Sequence, residues 1–181
     1  MKILHVITSL RTGGAEKLMV DLLPRMKAMG AEVDLCVFDG VRTPFYEELE
    51  KKGVRIISLG TSVYSPFNIL RLLKLMRKYD VVHTHNTACQ YYAAIAGLWT
   101  KCKKITTEHN TTNRRRHLWW CYLDEWMYGQ YDKVVCISEL TEKNLVSHVG
   151  AWIRKKVALI YNGIEVESFG LQKFSQETLG K

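Results

Sequence analysis

No stretch of about 18 consecutive apolar residues occurs in the 181-residue chain, so no transmembrane helix is expected. No CxxC pair occurs. The five cysteines, Cys36, Cys89, Cys102, Cys121 and Cys136, are odd in number and scattered, which argues against a disulfide framework or a zinc site and for separate reduced thiols. Internal repeats, low-complexity tracts and recognised RNA- or DNA-binding motifs are absent, which disfavours a nucleic-acid-binding role. Neither GxGxxG nor the GK[ST] of a P-loop is present, which disfavours a classical dinucleotide site and an NTPase. There is no DxD pair and no HxxxH spacing, and no protein-bound catalytic metal is expected. The short apolar run at the N-terminus stops after Leu10 with no clean small-residue cleavage site, and it reads as a buried strand rather than a signal peptide.

What is present is ordinary globular composition with a basic balance: 47% hydrophobic residues, 24% charged residues and a net charge of +8. Such a charge favours phosphate-bearing partners without choosing among them. The length fits one domain with a single core. Strand-like and helix-like segments alternate throughout. Apolar, β-branched runs at 2–8, 33–38, 54–59, 81–84, 104–107, 133–137 and 157–161 read as seven strands. The segments between them carry helical spacing. In the first, Ala15, Leu18, Met19, Leu22, Leu23 and Met26 share a face, Pro24 should kink the helix, and Gly30 stops it. Thr43-Pro44 and Ser65-Pro66 open two more helices. A fourth is expected to bury Tyr91, Ile95 and Leu98. In the fifth, Trp119, Trp120, Leu123, Trp126 and Met127 recur at core spacing. The alternation implies an α/β fold: a doubly wound, mainly parallel seven-stranded sheet with helices on both faces.

In such sheets ligands bind beyond the carboxyl ends of the strands. Polar residues gather there: Thr12-Gly13-Gly14, His85-Asn86, Glu108-His109-Asn110, Ser138-Glu139 and Asn162-Gly163. Two glycines before a helix allow close backbone approach to a phosphate, or they form a tight turn that binds nothing. His83 and His85 alternate along one strand, so their side chains are expected on opposite faces, making them poor joint metal ligands. His109 lies in a polar loop where an imidazole suits a sugar or acceptor hydroxyl, or a turn cap. Arg114, Arg115 and Arg116 precede the tryptophan-rich helix. They read as an anionic-acceptor or membrane-surface contact, or as a solvated basic turn.

Five segments in order, MKILHVITSL-RTGGAEK, DVVHTHN at 80–86, TTEHN at 106–110, VVCISE at 134–139 and VALIYNGIE at 157–165, resemble the N-terminal half of family 4 glycosyltransferases, retaining enzymes of GT-B fold. The resemblance spans nearly the whole chain. It implies an acceptor-side Rossmann-like domain at 1–165, with 166–181 beginning an interdomain linker and a C-terminal nucleotide-sugar domain lying beyond the chain. The chain by itself would then be inactive. The resemblance further implies that Gly13 and Gly14 approach the donor phosphates and that His109 faces the reacting sugar. His85 and Asn86 would line the acceptor pocket, with Glu108 and Asn110 beside them, and Ser138 and Asn162 would shape the cleft floor and hinge. The expected partners are a nucleotide-sugar donor, treated as substrate rather than cofactor, and a glycan or lipid-linked acceptor of surface polysaccharide synthesis. The expected location is cytoplasmic, with peripheral contact at the inner face of the membrane. A stand-alone, non-catalytic binding module is the alternative.

Overall fold

The computed structural model describes residues 1–60, 62–109 and 118–163. The strands are β1 (Lys2–Ile7), β2 (Glu32–Val37), β3 (Arg55–Ser58), β4 (Val81–Thr84), β5 (Lys103–Glu108), β6 (Lys133–Cys136) and β7 (Val157–Leu159). The helices are α1 (Gly14–Ala28), α2 (Pro44–Lys51), α3 (Phe67–Met76), α4 (Thr87–Ala96), α5 (Leu118–Gly129) and α6 (Glu139–Val149). The seven strands form one sheet in the order β3-β2-β1-β4-β5-β6-β7, and every neighbouring pair is parallel. The order reverses between β1 and β4, the crevice position where open α/β sheets bind ligands.

Alternation along the strands divides the core. Leu4, Val6, Cys36, Phe38 and Val82 face α3 and α4, where they meet Leu72, Met76, Cys89 and Ala93. Ile7, Leu35 and Val37 face the opposite way, onto Met19, Val20 and Leu23 of α1 and Leu49 of α2. A third cluster joins Val134 and Cys136 to Met127, Tyr128, Leu145 and Val149 beneath α5 and α6. The doubly wound expectation is met, with a wholly parallel sheet among the described residues. None of the five cysteines forms a disulfide, and burial pushes the Cys36 thiol up to about 12.

Local signals act as their chemistry dictates. The Thr43 hydroxyl accepts from the Tyr46 amide at 3.2 Å, and Pro44 opens α2. Gly30 and Gly53 follow α1 and α2 with φ of 88° and 73°, values that favour glycine. Pro24 does not end α1, which continues to Ala28.

Two helix faces differ from the sequence reading. α4 buries its small side, Cys89, Gln90, Ala93, Ala94 and Ala96, while Leu98 is exposed. Small residues let α4 lie close to the sheet, and that outweighs the larger side chains' hydrophobicity. α5 buries Asp124, Met127 and Tyr128, leaving Trp120, Tyr122, Leu123 and Trp126 exposed by 45%, 70%, 49% and 41%. The buried Asp124 explains the rotation. It pairs with His148 Nε2 at 2.7 Å and accepts from Tyr91 Oη, so the polar network turns Trp120, Tyr122 and Trp126 outward.

Candidate functional site at the carboxyl edge of the sheet

The loop after β1 is held by its neighbours. Asn86 Nδ2 donates to Thr8 Oγ1 at 2.9 Å, and Thr43 Oγ1 donates to the Leu10 carbonyl at 2.6 Å. Gly13 is the extended residue before α1, and Gly14 is its first helical residue. The Glu16 carboxylate folds back over Gly13: a Cβ there would meet Glu16 Oε2 at 2.1 Å. An acid in the first turn complements the helix start. Nothing lies within 4 Å of a Cβ at Gly14.

The loop after β4 is fixed from below. Tyr131 Oη donates to the Gln90 carbonyl at 2.9 Å and lies 3.0 Å from Thr84 Oγ1. Gln90 Nε2 donates to Thr106 Oγ1 at 2.9 Å and to Glu108 Oε1. Glu108 also accepts from Tyr128 Oη at 2.5 Å. This carboxylate therefore ties β5 to α4 and α5 and braces the edge. Ser138 caps α6, its hydroxyl accepting from the Thr141 amide at 3.1 Å.

The histidines correct the expectation drawn from strand alternation. β1 and β4 are in register at His5 and His83, so these two rings share a face at 5.0 Å between centroids. Residues two apart on an extended chain share a face, so His85, one residue past the end of β4, falls on the same side as His83 and not the opposite one, and the two ring centroids lie 4.3 Å apart. The ligand atoms of His5, His83 and His85 all lie within 4.8 Å of one another. Separation on opposite faces is therefore no argument against a shared metal.

Most of these nitrogens contact other protein groups. His5 Nδ1 and His85 Nε2 lie 2.9 Å apart, and His85 Nδ1 lies 3.4 Å from His109 Nε2. His83 Nε2 contacts Thr107 Oγ1 at 2.7 Å. Burial disfavours the charged rings. His5 is pushed down to about 4, and His85 falls well below its ordinary value through burial and then the neighbouring histidines. His83 falls likewise, through burial and then His5 and His109. Burial also lowers half-buried His109. All four environments favour the neutral ring.

The structure thus joins Asn86 to the first loop and His85 to His109, with Glu108 bracing them. Asn162 is exposed just beyond β7 and makes no hydrogen bond to these residues among the described ones. Asn110, Arg114, Arg115 and Arg116, like the expected linker at 166–181, lie outside the described residues. His5, Gln90, Tyr128 and Tyr131 escaped the reading of strand ends. Only His5 left a usable signal, as a polar residue inside an otherwise apolar first strand.

A parallel sheet whose strand order reverses, with its polar residues gathered at the carboxyl edge, defines a Rossmann-like domain. The chain belongs to Glycosyltransferase Family 4, whose family model matches residues 12–168. No curated protein matches it. Among solved structures it is similar to a glycosyltransferase from Rickettsia africae (24% identity, TM-score 0.77, covering 98% of this chain and 47% of that one). The Anabaena protein Alr3699/HepE, solved with UDP and glucose, matches at 15% identity and a TM-score of 0.76, covering 92% and 46% of the two chains. The lipopolysaccharide outer core galactosyltransferase WaaB matches at 12% identity and 0.69, covering 92% and 47%. These likenesses establish the fold, and the chain spans a little under half the length of each.

Proposed function

We propose that this chain is the acceptor-side half of a retaining glycosyltransferase that moves a sugar from a nucleotide-sugar donor to a glycan or lipid-linked acceptor. The observation that carries the reading is the joining of His85 to His109, and of Asn86 to the first loop, at the carboxyl edge of a family 4 domain. The solved HepE complexes hold UDP, glucose or UDP-glucose, which supports a uridine-linked donor class. WaaB acts on lipopolysaccharide outer core, which supports a surface glycan as product.

In this reading the acceptor hydroxyl attacks the anomeric carbon on the face from which the nucleoside diphosphate departs. The new C–O bond forms, the sugar–phosphate bond breaks, and the hydroxyl proton passes to the leaving phosphate. Backbone amides at the start of α1, reached through Gly13 and Gly14, meet the developing negative charge. Such a route uses no protein nucleophile and no metal. His109 orients the reacting sugar; His85 and Asn86 border the acceptor; Ser138 and Asn162 shape the floor and hinge.

The site of action in this reading is the cytoplasmic face of a membrane. No helix among the described residues is long and apolar enough to cross one. Four large apolar side chains are exposed on α5, and Arg114, Arg115 and Arg116 stand just before it in sequence, a combination suited to an anionic lipid surface. The test is His109→Ala in the full-length protein. A loss of about 100-fold or more in kcat is expected; unchanged turnover refutes the role of His109.

A further inference from the structure

Three rings run in series from the interior to the carboxyl edge: His5 Nδ1 to His85 Nε2 at 2.9 Å, then His85 Nδ1 to His109 Nε2 at 3.4 Å. A neutral imidazole carries one N–H and one lone pair. Two contacts among three neutral rings then admit only two arrangements. In one, every ring carries its hydrogen on Nδ1 and the bonds donate outward, from His5 to His85 to His109. In the other, every ring carries it on Nε2 and the bonds donate inward. Mixed arrangements place two hydrogens or two lone pairs in one contact.

The two arrangements differ at the chain's ends. His5 Nε2 is buried and has no hydrogen-bond partner among the described residues. The inward arrangement puts a hydrogen on that atom and creates an orphaned buried N–H, the rarer kind of unsatisfied group. The outward arrangement leaves only a lone pair there. His83 lies tilted against both inner rings, at 5.0 and 4.3 Å between centroids, and contacts Thr107, which hinders rotation of His85.

We propose that His5 and His85 are positioning residues that lock His109 as the Nδ1–H tautomer, so that His109 offers the cleft a hydrogen-bond donor and no basic nitrogen. This rests on the reading of His109 given above and narrows it. His109 donates to a sugar or phosphate oxygen, and the acceptor's proton goes to the leaving phosphate rather than to imidazole. The inner end is a buried lone pair with no hydrogen-bond partner among the described residues to exchange a proton with, so the chain of rings is a clamp on tautomer and not a conduit.

The test is long-range ¹H–¹⁵N correlation spectroscopy on the histidine-labelled 181-residue chain at pH 7, with His148 as an internal reference, since its Nε2 faces Asp124. Nδ1–H tautomers at His5, His85 and His109 are expected. His5→Phe should leave His85 and His109 as tautomer mixtures. His5→Asn, whose amide can donate from the place of Nδ1, should restore the single form. An Nε2–H tautomer at His109 in the unaltered chain overturns the proposal, as does a His109 tautomer indifferent to His5→Phe. Stoichiometric Zn²⁺ binding that shifts His5, His83 and His85 together also overturns it, by making that cluster a metal site. Should the variants fail to fold, the spectrum of the unaltered chain decides alone. In the full-length protein, His5→Phe should lower kcat about tenfold with little change in KM, and His5→Asn should recover most of it. Nδ1–H tautomers in an unaltered protein that consumes no nucleotide sugar would defeat the transferase reading while leaving the clamp intact.

Discussion

Mild acid should destabilise this domain far more than its carboxylates alone would. His5 titrates near 6.5 when unfolded and near 4 when folded, because burial disfavours its charged ring. The folded value lies below the unfolded one, so the unfolded chain takes the proton first. The stability from His5 is fully present above about pH 6.5 and is lost as pH falls towards 4. At about 1.36 kcal/mol per unit, the full loss is about 3 kcal/mol, with about 2 kcal/mol gone by pH 5. His83, His85 and His109 shift in the same direction and add to it. Charged groups of the groove beside His5 and His83 do not offset the loss: Lys103 and Lys133 are cations, and Asp132 is engaged by Lys103 Nζ at 3.1 Å and the Lys104 amide at 2.8 Å. Against a typical domain stability of about 5–15 kcal/mol, this is a large share. Urea unfolding at pH 7, 6 and 5 measures it, in a range above most carboxylate titration. His5→Phe should remove about 2 kcal/mol of the difference between pH 7 and pH 5. A free energy of unfolding that stays within 1 kcal/mol between pH 7 and pH 5 would refute the reasoning.

Other outcomes follow from the same contacts. Asp124→Ala removes the buried carboxylate that pairs with His148 and accepts from Tyr91 and should cost about 3 kcal/mol, read from the urea midpoint; an unchanged midpoint contradicts the network. Gly14→Ala meets no neighbour at the start of α1 and should hold or raise stability by up to about 1 kcal/mol, yet lower donor use in the full-length protein if the loop approaches phosphate. Gly13→Ala has only the flexible Glu16 carboxylate to displace, so it too should fold, with the same loss of donor use. Replacing Trp120 and Trp126 with serine should reduce co-sedimentation with anionic vesicles at low salt, and failure of the unaltered chain to bind would end the membrane reading.

The fold was legible because its signals are local and repeated. Seven β-branched runs, each separated by a helical period, leave few topologies, and Thr43-Pro44, Gly30 and Gly53 mark helix boundaries by backbone chemistry alone. Faces were less legible. The spacing of Trp120, Leu123 and Trp126 suits a core, but a buried Asp124 with two partners from α4 and α6 rotates α5, and pairings across the chain are not written in one helix. The histidine cluster was partly legible, because strand period 2 puts His83 and His85, two residues apart, on one face, and the expectation of opposite faces misapplied that period. That His5 lies opposite His83 depends on the register of β1 and β4, which a sequence does not print.

The central claim is that these strand ends form half of a cleft where a sugar leaves a nucleotide with retained configuration. The direct measurement is to express the complete reading frame that contains this chain, supply UDP-sugars with a glycan acceptor, and follow donor consumption and the anomeric configuration of the product by NMR. Donor consumption with the donor's anomeric configuration kept in the product, and abolished by His109→Ala, is the predicted result. An inverted product, or a complete protein that consumes no nucleotide sugar, would contradict it.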